Sequence, residues 1–285
     1  MKKFLRTPKG TLSVIFAGLL AVAGTATGWS IVAPHLLAAL VGACGVELMA
    51  SAFLNRKVSW PTSALLSGAI VAFVLAPETP WVETMWIAGV ATASKYIIAT
   101  TRGHIFNPAA LALVVSVPLF ATGQSWWGAG GDMPWPFILL LLAGGAVIVD
   151  RINKFPLVLS FAAVYFGAFT LIGLMQPTLV AEMFRAPFLQ SALFLAAFML
   201  TDPPTSPGRY SEQVAFGALA AMTACIAQLA GLGQAYLLVG VLVGNAGLAA
   251  WRIIGAARFS ARTLAQREAV GSTAGRAGVG VRAGV

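Results

Sequence analysis

A polar segment between two apolar runs, KYIIATTRGHIFNPAAL (95–111), contains residue types that could bind an anionic cofactor. Asn107 precedes Pro108, a combination typical of a helix N-cap followed by proline at the first helical position. The unpaired N–H groups of such a helix start favour phosphate, carboxylate or ring carbonyl oxygens. Arg102 and His104 would lie beside them. The segment therefore predicts one side of a ligand site, and a well-capped turn without a ligand is the alternative.

A second polar segment, TDPPTSP (201–207), repeats this pattern in the other half of the chain. Asp202 precedes Pro203 and Ser206 precedes Pro207, so each can cap the start of a helix. Together the two segments could form a pocket for an electron-rich cofactor. Two capped turns with no ligand would give the same pattern.

Two further ionisable residues lie deeper in apolar sequence. Glu47 comes nine residues before Arg56, and Lys95 comes seven residues before Arg102. With a rise of about 1.5 Å per residue, both lie roughly 10 to 14 Å from similar helix ends. Ionisable groups at such depth are costly and are usually paired or functional. Glu47 could gate a proton or a cation, and Lys95 could face an anionic cofactor. The alternative is a structural Glu47–Lys95 pair or a Lys95 side chain that snorkels.

The elements that must position these residues are membrane helices. Of the 285 residues, 59% are hydrophobic and 9% are charged, which is more apolar material than one soluble core buries. The apolar runs are continuous and do not alternate, which favours helices over a closed barrel. We therefore predict an all-α integral membrane protein. Its ten predicted membrane-spanning helices lie at about 11–33, 36–54, 62–77, 81–99, 105–121, 134–149, 155–175, 187–200, 211–230 and 234–255.

The basic residues predict the orientation of these helices, because Lys and Arg favour cytoplasmic loops. If the N-terminus is cytoplasmic, the outer segments contain only Arg185 as a basic residue. We therefore predict that both termini are cytoplasmic. Four tryptophans fall at predicted outer ends, where they would form an interfacial aromatic belt. These are Trp81, Trp126, Trp127 and Trp135.

The sequence predicts one transmembrane domain, residues 11–255, between two basic cytoplasmic ends. Residues 1–10 form the first end, and residues 256–285 form a tail that we expect to be disordered. A cleaved signal peptide is the alternative for the first span. Cys44 and Cys225 lie in separate apolar runs, so we expect them to pack, with a cluster shared with a partner subunit as the alternative. No phosphate loop, dinucleotide fingerprint, nucleophile motif or zinc spacing is present, so we expect no catalytic residue, metal ligand or nucleic-acid partner.

The two halves of the chain share sequence similarities in the same order, which predicts an internal repeat. PTSALLSGAIVAFVLAPETP (61–80) resembles PFLQSALFLAAFMLTDPPTSP (187–207). FNPAALAL resembles VGNAGLAA, which matches Asn107 with Asn245. Five helices per repeat would invert the second copy, and such repeats commonly place a binding site near the membrane midplane. Chance similarity among Ala/Leu-rich helices is the alternative. The predicted repeats cover about 11–121 and 134–255.

Three longer stretches resemble one family: VELMASAFLNRKVSWPTSALLSGAIVAFVLAPETPWV, SKYIIATTRGHIFNPAALAL and AFMLTDPPTSPGR. They resemble RnfD, the D subunit of the Rnf electron-transport complex, and NqrB of the Na⁺-translocating NADH:quinone oxidoreductase, over most of residues 35–255. The resemblance implies ten helices in two inverted repeats, akin to urea and ammonium transporters, in the bacterial inner membrane. It also implies flavin-based electron transfer across the membrane, coupled in the full complexes to Na⁺ or H⁺ movement. The implied partners are the lipid bilayer and other membrane and Fe–S or flavin-containing redox subunits.

The chain departs from this family in the outer segment after the fifth helix. RnfD and NqrB carry an SGAT-type motif there, whose threonine bonds FMN covalently through its phosphate. This chain has FATGQSWWGAGGDMPWP, in which Thr122 and Ser125 are poor substitutes. The resemblance therefore implies a non-covalent flavin, FMN or riboflavin. The shortened pattern is similar to stand-alone RnfD-like proteins, including the UnbU type.

The motifs and the resemblance together predict a membrane electron-transfer subunit. It would pass electrons between a cytoplasmic redox partner and an acceptor across the membrane. A channel or carrier for a small solute or ion, without redox activity, is the alternative, and a purely structural assembly subunit is a third. Glu47 is the predicted ion-pathway residue. The residues predicted to bind the cofactor are Lys95, Arg102, His104, Asn107, Asp202 and Thr205.

Overall fold

The structure, a computed structural model, describes residues 2–55, 60–101, 103–131, 133 and 135–255. It is 79% helical, which confirms the predicted all-α class. Within the described residues the only sheet is one antiparallel pair, β1 (Ala99–Thr100) and β2 (Gly103–His104). The helices are α1 (Lys2–Leu5), α2 (Pro8–Thr27), α3 (Trp29–Phe53), α4 (Thr62–Val74), α5 (Trp81–Ile97), α6 (Pro108–Phe120), α7 (Trp135–Arg151), α8 (Phe155–Met175), α9 (Pro177–Val180), α10 (Phe188–Phe194), α11 (Tyr210–Leu229) and α12 (Gly233–Gly255). Short 3-10 turns cover Trp127–Ala129 and Ala181–Phe184, and α10 continues as a π-helical turn, Leu195–Met199.

The chain divides into two compact units, residues 1–246 and residues 247–285. The cavity described by its lining residues lies within the first unit. In the second unit the structure describes the end of α12, and the predicted basic tail, residues 256–285, lies outside the described residues.

Five helices are long and apolar enough to cross a membrane, namely α2, α3, α8, α11 and α12. The bent pair Pro177–Phe184 and Phe188–Met199, with 56° between its parts, is a sixth candidate. Helices α4 and α6 are apolar but have 13 residues each. That length gives about 20 Å of helix against a hydrocarbon core of about 30 Å. The chain is therefore a multi-pass membrane protein that combines full-length helices with short and bent ones.

Helices α2 and α3 meet earlier in the sequence than the apolar runs predicted. The apolar runs suggested a break between residues 33 and 36, whereas α2 ends at Thr27 and α3 begins at Trp29. Gly28 connects them with a φ of 102°, a conformation that glycine adopts without strain. Pro34 lies inside α3, where its missing N–H removes one hydrogen bond near the helix start. The predicted boundary was wrong because the turn is formed by the glycine and not by the proline.

Segments predicted to lie on the same side of the membrane contact one another. At one end of the bundle, His104 faces Asp202, and the Arg151 side chain donates to the backbone of the N-terminal segment. We call this the motif end, because the GHIFNPA and TDPPTSP segments lie there. At the opposite end, Leu75 forms a bridge with Gln124.

The predicted aromatic belt is wrong for two of its four tryptophans. Trp126 and Trp127 are 0% and 5% exposed, and the Trp127 indole N–H donates to the Ala72 carbonyl oxygen at 2.6 Å. The segment after α6 folds back against the end of α4, so these rings fill space inside the bundle instead of facing lipid headgroups. Trp81 is 61% exposed, and the Trp135 side chain lies outside the described residues.

Close backbone approach at glycine joins two extensively packed helix pairs, α3 with α5 and α8 with α11. A Cβ atom at Gly42 would lie 2.0 Å from the Met85 carbonyl oxygen, and one at Gly217 would lie 2.4 Å from the Leu157 carbonyl oxygen. Membrane helices associate mainly through close packing at small residues. These glycines therefore allow α3 to pack closely against α5, and α8 against α11.

Candidate functional site

A cavity of about 640 Å³ lies at the motif end, between segments from both halves of the chain. The first half contributes the N-terminal segment, α4, α5 and the turn leading into α6. The second half contributes the end of α7, the π-helical turn and the TDPPTSP segment. Much of the lining is apolar and includes Leu66, Ile70 and Phe198. Its polar lining side chains include Lys9, Ser63, Lys95, His104, Asn107 and Asp202.

Asn107 has the capping role predicted from its position before Pro108. Its Oδ1 accepts a hydrogen bond from the Ala110 N–H at 3.0 Å, at the start of α6. Its Nδ2 donates to the Met199 carbonyl oxygen at 3.0 Å. Asn107 is 3% exposed, so these bonds are shielded from water. The side chain therefore both starts α6 and ties it to the π-helical turn of the other half.

Asn245, the residue matched to Asn107 in the predicted repeat, lies directly against it. The Asn245 Oδ1 accepts from the Asn107 backbone N–H at 2.8 Å, and its Nδ2 donates to the Thr205 carbonyl oxygen at 3.0 Å. Asn245 is 2% exposed. Sequence reasoning paired the two asparagines but did not predict their contact. The predicted match between the two asparagines was the only signal in the sequence for this contact.

His104 and Asp202 form a pair across the two halves of the chain. The His104 Nε2 and Asp202 Oδ2 atoms are 3.4 Å apart, and both side chains are partly shielded from solvent. The same Oδ2 accepts a hydrogen bond from the Thr205 hydroxyl at 3.2 Å. Thr205 is 1% exposed and positions Asp202 from behind the cavity. The predicted residue Arg102 lies outside the described residues.

The prediction that Asp202 and Ser206 cap a helix start is wrong. Helix α11 begins only at Tyr210, and its N-cap residue, Arg209, makes no capping hydrogen bond through its side chain. The Asp202 carbonyl oxygen instead accepts from the Ser206 hydroxyl at 2.8 Å, which closes a turn. Pro207 lacks an N–H and has a fixed φ, so the chain does not continue from this turn directly into a helix.

Lys95 lines the cavity, but it does not form the direct ion pair with Glu47 that the sequence left open. Its Nζ donates to the carbonyl and hydroxyl oxygens of Ser63, at 3.1 Å and 3.2 Å. No ion pair within 4.0 Å joins Lys95 to Glu47, both of which the structure describes. Glu47 lies outside the cavity lining, and its Oε2 is buried without a hydrogen-bond partner. The two residues therefore do not form a closed structural pair.

The N-terminal segment, which the motifs did not single out, covers part of the cavity. Thr7 caps α2 by accepting from the Gly10 N–H at 3.1 Å. The Arg151 Nη1 donates to the Arg6 carbonyl oxygen at 2.9 Å and to the Thr11 hydroxyl at 2.7 Å. These bonds hold the start of α2, and with it Lys9, against the rest of the site. The Thr-Pro pair before an apolar run was the sequence signal for this cap.

Lys154 fixes the position of the TDPPTSP segment from the neighbouring loop. It is 5% exposed, and its Nζ donates to the Pro207 carbonyl oxygen. The Gln213 Nε2 donates at 3.1 Å to the carbonyl oxygens of both Asn153 and Gly208. The loop between α7 and α8 thus holds the proline-rich segment in place, a role that the sequence motifs did not indicate.

No protein-family model matches the chain, and no curated protein sequence matches it. Four of the six residues predicted to bind a cofactor line the cavity, a fifth supports one of them, and the sixth lies outside the described residues.

Proposed function

We propose that this chain is a membrane electron-transfer subunit of the RnfD/NqrB type and that it binds a flavin non-covalently in the cavity at the motif end. In this proposal it lies in the bacterial inner membrane with both termini in the cytoplasm. It passes electrons between a cytoplasmic redox partner and an acceptor across the membrane, and the transfer is coupled to Na⁺ or H⁺ movement. Its partners are membrane and Fe–S or flavin-containing redox subunits.

The cavity supports the proposal, because it brings together two distant motifs that the resemblance to RnfD and NqrB associates with a flavin. His104 and Asn107 come from GHIFNPA, and Asp202 comes from TDPPTSP. The volume of about 640 Å³ lies within the range of about 300 to 1,000 Å³ that is usual for cofactor sites. A site built between two halves of a broken-helix bundle is also typical of proteins with inverted repeats.

The lining has the chemistry that a flavin requires. Leu66, Ile70 and Phe198 offer apolar contacts for a flat ring system. The polar residues that line the same cavity could form hydrogen bonds with the nitrogen and oxygen atoms at the edge of that ring. A bound flavin supplies reversible uptake of one or two electrons. At the opposite end of the bundle, buried Trp126 and Trp127 occupy the segment where the family carries its covalent FMN. The lining of the cavity and the burial of these two tryptophans favour a single non-covalent flavin at the motif end.

The protein's own groups would orient the ring and manage a proton beside it. Thr205 fixes the Asp202 carboxylate, and Asp202 in turn orients the His104 imidazole. When Nε2 carries the hydrogen that Asp202 accepts, Nδ1 is the nitrogen that can take up or release a proton. Asn245 would hold the two motif segments in register around the ligand, because it accepts from the Asn107 N–H and donates to the Thr205 carbonyl oxygen.

Two features support ten helices in two inverted five-helix repeats. Two extensive helix contacts are α3 with α5 and α8 with α11, which are the second and fourth helices of each proposed repeat. The third helix of each proposed repeat is broken. Helix α4 ends at Val74 before LAPETP, and α10 passes into a π-helical turn before TDPPTSP. Broken helices at equivalent positions are the pattern expected where such repeats build a midplane site.

Flavin content tests the proposal directly. The chain is purified from membranes with its partner subunits, and bound flavin is identified by visible absorption and by the mass of the released molecule. We expect flavin in the native protein, loss of flavin in Ser67→Trp, which fills the cavity, and retention in Leu139→Trp on the exposed face of α7. A flavin-free preparation of the intact, monodisperse complex would overturn the proposal.

A solute or ion carrier without redox activity is the second candidate, because Glu47 has a buried carboxylate oxygen without a partner. Buried acidic groups in membrane proteins commonly mark ion pathways. Solute or ion flux into proteoliposomes without a reductant, from flavin-free protein, would favour this candidate. Flavin in the protein and no such flux would reject it.

A further inference from the structure

The N-terminal segment, residues 2–7, forms part of the wall of the cavity at the motif end. It consists of α1 and the turn that leads into α2. Phe4 and Thr7 line the cavity. Leu5 and Arg6 are exposed and do not line it. The segment therefore has one surface that faces the cavity and another that faces away from it.

Gly10 allows the N-terminal segment to fold back against the first turn of α2. A Cβ atom at Gly10 would lie 2.0 Å from the Phe4 carbonyl oxygen and 2.9 Å from the Leu5 Cα atom. The Phe4 carbonyl oxygen accepts from the N–H of Thr7 at 2.9 Å and from its hydroxyl at 2.7 Å. The same hydroxyl oxygen accepts from the Gly10 N–H at 3.1 Å. The turn is therefore compact, and it requires that residue 10 has no side chain.

Arg151, the last residue of α7, clamps the folded-back segment onto α2. Its Nη1 donates to the Arg6 carbonyl oxygen at 2.9 Å, in the N-terminal segment, and to the Thr11 hydroxyl at 2.7 Å, in α2. Arg151 and Arg6 are exposed, so water competes for the bond between them and its net contribution is modest. The extensive helix contacts of α1 are with α2. Few interactions therefore hold the segment closed.

We propose that residues 2–7 form a hinged lid on the cavity, that Arg151 is its latch, and that a ligand enters and leaves when the latch opens. The hinge is the turn between Thr7 and Gly10. Segments with exposed hydrogen bonds and few buried apolar contacts open locally at low cost, and such segments commonly serve as lids. The proposal depends on the cavity and not on which ligand occupies it.

Phe4 gives the lid a direct contact with a ligand. Its ring belongs to a residue that lines the cavity and is 38% exposed. An apolar ligand that covers this surface binds better to the closed lid than to the open one. The ligand therefore favours closure, and the closed lid slows both its entry and its release.

The test measures how fast a reagent reaches a thiol inside the cavity. Ser67→Cys places this thiol on the part of α4 that lines the cavity, and Cys44→Ala removes one native thiol. Cys225 is kept as an internal reference, because it is 3% exposed and does not line the cavity. The full chain is reconstituted in phosphatidylcholine nanodiscs and exposed to a water-soluble methanethiosulfonate reagent. Peptide mass spectrometry gives the rate of modification at each thiol.

Opening of the lid should speed modification of the introduced thiol and leave Cys225 unchanged. Arg151→Ala removes the latch, and we expect the rate to rise about two- to tenfold, as for the loss of one or two exposed hydrogen bonds. Gly10→Ala should raise the rate at least as much, because its Cβ excludes the folded-back segment while alanine favours the helix α2. Arg6→Gln is the matched control, since it removes a cation from the lid and keeps the carbonyl oxygen that Arg151 binds.

Three outcomes would overturn the lid. The first is an unchanged rate at the introduced thiol in both Arg151→Ala and Gly10→Ala. The second is an equal rise at Cys225, which would show general loosening of the bundle. The third is a rise in Arg6→Gln as large as in Arg151→Ala, which would assign the effect to charge and not to the latch. The assay requires no bound flavin, so failure of the lid leaves the proposed flavin site standing, and absence of flavin leaves the lid standing.

Discussion

Removal of the Asn245 side chain tests whether the contact between the two halves determines the site. Asn245→Ala deletes the acceptor for the Asn107 backbone N–H and the donor to the Thr205 carbonyl oxygen. All three residues are at most 3% exposed, so the groups left behind cannot reach bulk water without local opening. The change therefore loosens α6 and the TDPPTSP segment together.

The expected cost follows from the number of bonds that are lost. Side-chain hydrogen bonds between membrane helices contribute about 0.6 kcal/mol on average and up to about 1.7 kcal/mol. Two such bonds amount to about 1 to 3.5 kcal/mol. Replacing an asparagine inside α12 by alanine returns up to about 0.7 kcal/mol of helix propensity. We expect a net loss of about 0.5 to 3 kcal/mol in the free energy of unfolding.

The measurement is reversible unfolding in mixed detergent micelles, followed by circular dichroism, together with the flavin affinity of the folded protein. Asn55→Gly is the matched control, since this asparagine is exposed and its φ of 49° suits glycine. We expect the control to retain its stability and flavin affinity, and Asn245→Ala to lose several-fold in affinity. A stability loss in Asn245→Ala below about 0.5 kcal/mol, or no greater than in the control, would refute this account of the Asn107–Asn245 contact.

Three further predictions concern packing, the buried tryptophan and the ion pathway. Gly42→Ala should prevent normal packing of α3 on α5 and lower the yield of folded protein, because its Cβ would overlap a backbone carbonyl; Gly45→Ala, with open space around it, should fold normally in the same size-exclusion assay. Trp127→Phe should lower the free energy of unfolding by about 1 kcal/mol, since the Ala72 carbonyl oxygen loses its indole donor, and unchanged stability would contradict this. Glu47→Gln should impair coupled ion transport in proteoliposomes while folding and flavin content stay intact, and unimpaired transport would exclude Glu47 from the pathway.

Local signals predicted the start of α6 correctly but failed for α11. Asn107 before Pro108 forms a cap from atoms within one turn, so its neighbours in sequence are sufficient. Asp202 and Ser206 have the same pattern, yet their oxygens serve a turn and a contact with His104. The Asp202 carboxylate also faces His104, which comes from elsewhere in the chain, and a local pattern cannot predict that contact.

The residues that line the cavity were predicted only where they belong to a sequence motif. His104 and Asp202 were expected from their segments, and they do face each other across the halves. Lys9 was read only as part of a basic terminus, because nothing in its neighbourhood indicates that α2 begins beside α4 and α5. Trp127 was assigned to the membrane interface for a related reason, since hydropathy cannot distinguish a ring at the surface from one folded back into the bundle.

The sequence by itself determined that this protein is a multi-pass helical membrane protein and approximately where its helices lie. Lipid offers no hydrogen-bond partners, so continuous apolar runs must satisfy their backbone groups as helices. Only the tertiary structure decided which residues share the cavity, that Asn107 meets Asn245, and that Lys95 bonds Ser63 and not Glu47. These outcomes depend on the close approach of distant helices at small residues, and that packing is a property of the whole bundle.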